Sequence, residues 1–262
     1  MQFTTPDGVA LHYLDEGKGL PVLLLHAFPL NSMGFRPQVQ LLSSKYRLIV
    51  PDQRGFGKSS LGAGPTEMST LARDALALLD HLKISSAVVG GVSMGGYASM
   101  ALLRLDPARA KALVLVDTRA TADDAAAKKR REETAQSVLK KGMGVLVESM
   151  LPKLVSPAAS ETLRAEVESI IRSNPPQGAA AALLGMALRQ DSQDILARYA
   201  GPALVVVGDK DELTPPEKSL EMQKLLAKGS LVILPGAGHL SNLEAPVEFN
   251  RALDGFISSS VA

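Results

Sequence analysis

Short, mostly apolar runs of four or five residues recur along the chain and are separated by segments with helical periodicity. The runs lie at residues 21–25, 46–50, 87–90, 112–116, 203–207 and 231–234. They lack the regular polar alternation of a strand with one face in water, so each is typical of a strand buried on both faces. Because helical segments separate them, the sequence predicts parallel strands in an α/β fold.

The segments between the first four runs contain apolar residues at helical spacing, and we predict helices at residues 33–43, 71–82 and 94–105. Residues 9–13 precede the first run and are assigned to an amino-terminal hairpin at the edge of the sheet. Thr214-Pro215-Pro216-Glu217 resembles a capping box that opens a further helix.

The alternation stops at Asp117, and residues 119–194 contain no segment with strand character. Helices are predicted there at residues 122–141, 143–151 and 178–190. Another is predicted to begin at Ser156-Pro157, where serine can cap the helix and proline fits its first turn. We expect residues 119–194 to form a helical cap, or lid, inserted over the carboxyl ends of the strands. Residues 1–118 and 195–262 are then the core domain.

Composition excludes several classes of function. Cysteine is absent, so disulfides, thiolate catalysis and Cys-ligated metals have no donor. The 28 basic and 27 acidic residues give a formal net charge of +1, which favours neither nucleic acid nor an anionic membrane as a partner. The amino terminus lacks the pattern of a secretory signal, and no apolar stretch approaches the ~20 residues of a membrane span. We expect a soluble, cytoplasmic protein.

The strongest chemical signal is Gly91-Val92-Ser93-Met94-Gly95, which directly follows a predicted strand and opens a predicted helix. A sharp strand-to-helix turn needs small residues on both sides of a nucleophile, whose hydroxyl then projects above the sheet. The free N–H groups and the positive dipole end of the helix lie beside that hydroxyl. The alternative is an ordinary glycine-rich turn, but the strand before it and the helix after it favour Ser93 as a nucleophile.

A serine nucleophile needs a base, and the chain has four histidines. His239 lies in a glycine-rich loop after the last predicted strand, at the same edge of the sheet as Ser93, and is the favoured base. His12 falls in the predicted edge hairpin and His81 near the end of a helix, so both are interpreted as surface or packing residues. His26 is interpreted as a structural loop residue.

The base in turn needs a carboxylate that fixes its tautomer and stabilises its charged form. The segment after residues 203–207 offers two, Asp209 and Asp211. We favour Asp211 and assign Asp209 a structural role in the turn, while Asp117 is a third candidate. The order serine, aspartate, histidine along the chain is that of one particular triad architecture.

Five segments together carry a family resemblance. They are His26-Ala27-Phe28-Pro29, Asp52-Gln53-Arg54-Gly55-Phe56-Gly57-Lys58-Ser59, Gly91 to Gly95, Gly208 to Pro215, and Gly238-His239. In these motifs the chain resembles the α/β-hydrolase superfamily, in its branch of small cap-bearing carboxylesterases and 3-oxoadipate enol-lactonases. The resemblance implies a mostly parallel eight-stranded sheet with helices on both faces, and a catalytic triad of Ser93, Asp211 and His239.

The same resemblance implies an oxyanion hole made by the backbone N–H groups of Phe28 and Met94. Ala27 replaces the glycine usual in the family, which brings strain if that position has a positive φ. Candidate substrate contacts are Phe28, Tyr97, Met143 and Met150. The charge run at residues 128–133 is interpreted as a solvated helix face.

The leading interpretation is a serine carboxylesterase that acts on small or medium esters and needs no metal or organic cofactor. The alternative is an enol-lactone hydrolase, whose substrate carries a carboxylate that Arg119 or another cap arginine would bind. A perhydrolase side activity and a catalytically silent binding protein also stay open. Ser93 argues against dehalogenases and epoxide hydrolases, which have aspartate at this position. The expected partner is a small ester or lactone, without nucleic acid or membrane; oligomeric state is not predicted.

Overall fold

The computed structural model describes residues 1–261, and its strands form one eight-stranded sheet. The strands are β1 (Gln2–Thr4), β2 (Ala10–Glu16), β3 (Pro21–Leu25), β4 (Arg47–Pro51), β5 (Ala87–Val92), β6 (Ala110–Val116), β7 (Pro202–Gly208) and β8 (Lys228–Leu234). Their order in the sheet is β1-β2-β4-β3-β5-β6-β7-β8. Strands β3 to β8 are parallel, whereas β2 runs antiparallel to both neighbours. The predicted, mostly parallel eight-stranded sheet is confirmed.

Helices flank the sheet and fill the long connection between β6 and β7. They are α1 (Arg36–Leu42), α2 (Met68–His81), α3 (Met94–Leu105), α4 (Ala125–Lys141), α5 (Gly144–Leu154), α6 (Glu161–Arg172), α7 (Pro176–Ala187), α8 (Gln193–Arg198), α9 (Pro216–Leu225), α10 (Ser241–Glu244) and α11 (Pro246–Ser260). Helix α3 has the bounds predicted from the sequence. Among residues 1–261, none of these helices is long and apolar enough to cross a membrane.

The central strands are buried along most of their length. All six residues of β5 are buried, and three consecutive residues of β6, Leu113, Val114 and Leu115, have no exposed surface. Successive side chains of a strand point to opposite faces of the sheet, so neither face of these strands meets water. This two-sided burial explains why the strands read as unbroken apolar runs in the sequence.

The connection between β6 and β7 contains α4 to α8 and contacts the loops at the carboxyl ends of the strands. Asn174, between α6 and α7, donates from Nδ2 to the Pro29 carbonyl (2.9 Å) and accepts at Oδ1 from the Gly57 N–H (2.8 Å). These two partners lie in the loops that follow β3 and β4. The predicted domain boundary at residue 194 falls within α8, and the division into core and cap stays a prediction.

One predicted helix start is wrong. Helix α6 begins at Glu161, and Ser160 is its N-cap, with Oγ accepting from the Leu163 N–H at 3.2 Å. The predicted start at Ser156-Pro157 has another role, because the Ser156 N–H donates to a Glu244 carboxylate oxygen at 2.9 Å. That partner is remote in sequence, so the local pattern of serine and proline could not indicate it.

Helix α7 approaches the loop after β4 so closely that Gly178 leaves no room for a side chain. A Cβ at Gly178 would overlap the carbonyl oxygen of Gly55. Gly178→Ala is therefore expected to lower the free energy of unfolding by about 1–3 kcal/mol, the usual cost of overpacking. Urea denaturation followed by circular dichroism measures the change.

Gly255→Ala is the matched control for this prediction. Gly255 lies inside α11, and a Cβ there would meet nothing within 4 Å. Alanine should raise the free energy of unfolding by about 0.5–1 kcal/mol, because it loses less backbone entropy in a helix than glycine does. Shifts of the same sign in the two variants would contradict the close docking of α7.

Candidate active site

Ser93 is the single residue between β5 and α3, with φ 53° and ψ −111°. A positive φ is strained for serine and persists only where the surroundings hold it. A Cβ at Gly91 would overlap the backbone of Gly95, and a Cβ at Gly95 would overlap the carbonyl group of Leu25 in β3. Glycine is therefore needed at both positions, and the turn carries the Ser93 hydroxyl at the carboxyl edge of the sheet.

His239 lies in the loop after β8, and its Nε2 is 2.8 Å from Oγ of Ser93. Its Nδ1 lies 2.9 and 2.8 Å from the two carboxylate oxygens of Asp211. An ionised carboxylate only accepts hydrogen bonds, so Nδ1 carries the proton and Nε2 accepts from the serine hydroxyl. The structure thus joins three side chains that are far apart in sequence into one chain of hydrogen bonds.

The segment that follows Asp211 holds its carboxylate. Oδ1 accepts from the N–H groups of Leu213 and Thr214, each at 2.9 Å, and Oδ2 accepts from the Thr214 hydroxyl at 2.7 Å. The predicted capping box at residues 214–217 is therefore wrong: α9 begins at Pro216 without a side-chain cap. Asp209, the alternative acid, accepts instead from the Gly236 N–H at 2.6 Å, as expected of a turn residue.

Asp117, the third candidate acid, is buried and links two loops of the site. Oδ1 accepts from the Gly208 N–H (3.0 Å), and Oδ2 accepts from the N–H (2.9 Å) and the hydroxyl (2.7 Å) of Ser241. Gly208 ends β7 just before the acid loop, and Ser241 follows His239 by two residues. Burial, together with the negative charge of Asp211, raises the pKa of Asp117 to about 7. Asp117 therefore positions both loops without bonding the imidazole.

Burial and pairing act in opposite directions on the imidazole and its carboxylate. Burial disfavours the imidazolium of His239, but the charge of Asp211 and the hydrogen bond to it outweigh burial, so the pKa of His239 is raised above its ordinary 6.5. Burial also disfavours the Asp211 carboxylate, but the charge of His239 and the donors of Thr214 hold the pKa of Asp211 below its ordinary value. The pair is therefore arranged to stabilise a positive charge on the imidazole.

The two residues predicted to form an oxyanion hole lie in neighbouring parts of the fold. Met94 is the first residue of α3, and Phe28 lies in the loop after β3. In the part of the chain that the structure describes, neither N–H donates to a backbone carbonyl outside its own helix or strand. Ala27 does not have a positive φ, so the replacement of glycine at this position brings no backbone strain of that kind.

The other three histidines are engaged elsewhere. His26 is buried and accepts at Nε2 from the Gln53 N–H at 3.0 Å, and burial lowers its pKa to about 4. His12 lies 3.0 Å from Asp52, and the ring of His81 stacks on an aromatic ring of β1. These positions agree with the structural roles predicted for them.

A cavity of about 370 Å³ opens above Ser93 and His239. Three of the four predicted substrate contacts line it, namely Phe28, Tyr97 and Met150. Met143 does not: it directly precedes α5, and its side chain is buried in the hydrophobic core, which corrects its assignment. Sequence reasoning missed the apolar lining residues Leu183 and Leu213, and Met186 also lines the cavity.

The polar part of the cavity is basic. Asp123 has no exposed side-chain surface and pairs with Arg119, Arg131 and Arg189, the last at 2.7 Å. Burial alone would raise the pKa of Asp123, but the guanidinium groups of Arg131 and Arg189 lower it to about 2. One carboxylate thus faces three guanidinium groups, and Lys153 of α5 adds a further positive charge to the lining.

The interpretation of residues 128–133 as a solvated helix face is wrong for Arg131, which is half-buried, lines the cavity and pairs with Asp123. Arg130 also lines the cavity but is exposed, as predicted. Ala127, Arg131 and Thr134 recur at helical spacing and line the cavity together. Ala127 and Thr134, which are small and uncharged, share a helix face with Arg131. This pattern could have indicated that Arg131 faces the cavity and not the solvent.

The eight-stranded sheet and the contacts among Ser93, His239 and Asp211 are typical of one family of proteins. A family model described as the alpha/beta hydrolase fold matches residues 21–246, and the chain belongs to the α/β-hydrolase family. It is 30% identical over 258 residues to 3-oxoadipate enol-lactonase 2 of Acinetobacter baylyi, an alignment that covers 95% of this chain and 94% of that protein.

Two solved structures are similar over nearly the whole chain. A thermophilic esterase from Thermogutta terrifontis with malate bound superposes with a TM-score of 0.96 at 38% identity, covering 98% of this chain and 97% of that one. The enol-lactonase from Burkholderia xenovorans LB400 superposes with a TM-score of 0.91 at 26% identity, covering 99% of this chain and all of that one. These similarities confirm the superfamily that the motifs indicate.

The opposite environments of two histidines predict separate titrations. The imidazole of His239 should titrate above pH 6.5, because its carboxylate partner favours the charged form. His26 should stay neutral until the pH falls to about 4, because burial disfavours its charged form. Nuclear magnetic resonance of protein labelled at histidine measures both midpoints.

Asp211→Asn is the matching variant. An amide cannot stabilise the imidazolium by charge, so burial dominates and the pKa of His239 should fall, whereas the midpoint of His26 should stay the same. An unchanged His239 midpoint in this variant would show that Asp211 does not control the imidazole.

Proposed function

We propose that the chain is a serine hydrolase that cleaves small to medium carboxylic esters through an acyl-enzyme. The single observation that carries this proposal is the 2.8 Å contact of Ser93 Oγ with an imidazole whose other nitrogen is bound to a carboxylate. Membership of the family, together with the esterase and lactonase among its relatives, supports hydrolase activity. The triad and the preference for esters are our inference.

In the proposed acylation, Ser93 Oγ attacks the ester carbonyl carbon while Nε2 of His239 takes the hydroxyl proton. The carbonyl oxygen becomes negative and accepts hydrogen bonds from the N–H groups of Phe28 and Met94. Asp211 stabilises the imidazolium. The imidazolium then gives its proton to the leaving alcohol, the carbon–oxygen bond to the alcohol breaks, and the acyl group stays on Ser93.

Deacylation repeats the same proton transfers with water. His239 takes a proton from a water molecule, which attacks the acyl carbonyl carbon, and the N–H groups again bind the oxyanion. The imidazolium returns the proton to Ser93 Oγ as the acyl bond breaks, and the carboxylic acid is released. The raised pKa of His239 helps the imidazole to accept both protons, while its activity as a base requires a pH at which it is neutral.

We also propose that residues 119–194 act as a cap that encloses the substrate. Helices α4, α5 and α7 contribute much of the cavity lining, whereas Ser93 and His239 come from the ends of the strands. This arrangement separates the chemistry from substrate selection. The cap residues can then vary the substrate without disturbing the triad.

A lactone hydrolase is the second candidate, and the basic lining favours it. A lactone that carries a carboxylate gains from a cation in the cavity. Arg119 is suited to this role, because Asp123 would keep Arg131 and Arg189 as partners if Arg119 turned to a substrate. One relative is an enol-lactonase, and one similar esterase structure contains malate, a dicarboxylate.

The proposed nucleophile is tested by Ser93→Ala. Wild-type protein should release a burst of p-nitrophenol from p-nitrophenyl butyrate, equal to one per active site, if deacylation is the slower step. The variant should lose the burst and about 10⁶-fold in kcat, because loss of the nucleophile removes the covalent route.

Ser99→Ala is the control on the same helix. Ser99 is buried, and its hydroxyl donates to the Gly95 carbonyl at 2.8 Å within α3, so this variant should keep its turnover. Equal activity of Ser93→Ala and wild type would refute the proposed mechanism. A folded wild-type protein with no turnover on any ester or lactone would instead support a binding protein.

Arg119→Met tests the recognition of an anionic group. We expect it to lower kcat/KM for the p-nitrophenyl monoester of succinate by about 10- to 100-fold relative to p-nitrophenyl butyrate, the range of a hydrogen bond to a charged group. Lys129→Met is the control, because Lys129 lies on α4 with 77% of its side chain exposed. An unchanged ratio in Arg119→Met would exclude this role for Arg119. A wild-type rate on an enol-lactone far above that on the butyrate would make lactone hydrolysis the first choice.

A further inference from the structure

A second cavity, of about 120 Å³, adjoins the cavity that contains Ser93. Its apolar lining comes from Met68, Met100, Ala101, Leu105, Ala120 and Leu188. Tyr97 and Arg119 line both cavities. Tyr97 therefore forms part of a partition between a compartment with the proposed nucleophile and one without it.

The second cavity continues along α3 from the position of Ser93. Tyr97 lies one helical turn after Ser93, and its N–H donates to the Ser93 carbonyl at 3.2 Å. Ala101 and Leu105 follow at intervals of four residues and line the second cavity on the same face of α3. Its far end reaches the surface, where Leu105 and Leu188 are exposed by 46% and 59%.

The ring of Tyr97 is fixed in place by Arg189. Tyr97 is buried, and the guanidinium carbon of Arg189 lies 4.2 Å from the ring centroid, a cation–π contact. Arg189 is itself held by Asp123 at 2.7 Å and by the Thr121 carbonyl at 2.7 Å. These contacts hold the Tyr97 side chain in one conformation, so the ring stays between the two cavities.

We propose that Tyr97 is a specificity-determining residue that sets the length of unbranched chain the active-site cavity accepts. The ring lies between the two cavities, and the apolar part of the lining behind it would receive a longer acyl or alkyl chain if the ring were absent. Each buried methylene of such a chain then adds binding free energy in the transition state. This inference rests on the proposed ester hydrolysis.

The test compares p-nitrophenyl octanoate with p-nitrophenyl butyrate, and octyl butyrate with ethyl butyrate, in wild type and Tyr97→Ala. Removal of the ring should raise the ratio of kcat/KM for the long over the short ester by about tenfold or more in one of the two series. Tyr97→Phe keeps the ring and should keep the wild-type ratio. Tyr97→Leu should give a ratio between those of wild type and Tyr97→Ala. If Tyr97→Ala does not fold, Tyr97→Leu replaces it in the test.

Ala101→Phe in the Tyr97→Ala background tests whether the longer acyl or alkyl chain of the substrate enters the second cavity. Ala101 lines the second cavity, so the new ring should fill that space and return the ratio towards the wild-type value. Turnover of the butyrate ester with an unchanged ratio in both Tyr97→Ala and Tyr97→Leu overturns this inference and leaves the proposed hydrolysis intact. A raised ratio that Ala101→Phe does not reduce also overturns it. A wild-type protein that turns over no ester overturns the proposed function itself.

Discussion

The close approach of the first turn of α3 to the end of β3 is the constraint on which the site depends. Gly95 and the carbonyl group of Leu25 are in contact there, and no other residue than glycine fits. This contact fixes the start of the helix against the sheet. The start of α3, the strained backbone of Ser93 and the loop after β3 that carries Phe28 are thereby held close together.

Charge in this buried region is balanced by separate local arrangements. Asp211 is compensated by His239 and by hydrogen-bond donors, whereas Asp117 has its pKa raised to about 7 and relies on neutral donors. The single carboxylate of Asp123 pairs with the guanidinium groups of three arginines. Unpaired charge in a poorly solvated region is costly, so each carboxylate needs its own partners. The negative charge near Ser93 therefore favours a cationic imidazole, while the lining around Asp123 has an excess of positive charge.

Features set by neighbours in sequence were the ones that could be predicted. The buried runs gave the strands, and the glycines around Ser93 gave the turn, because both are properties of contiguous residues. The meeting of Ser93 with His239 could be inferred because both follow parallel strands at one edge. The pairing of Asp123 with Arg189 and the burial of Met143 depend on packing between residues that are distant in sequence, and no local pattern indicates such packing.

The hydrogen bonds of Asn174 tie the inserted helices to the loops after β3 and β4. Its amide joins the junction of α6 and α7 to the carbonyl of Pro29, the neighbour of Phe28. A displacement of that junction would therefore pull on the loop that contains Phe28. The inserted helices are tied to the core at a second point, because the Leu240 N–H, next to His239, donates to the Leu154 carbonyl at the end of α5 (2.9 Å). The loops that carry Phe28 and His239 therefore both depend on the position of the inserted helices.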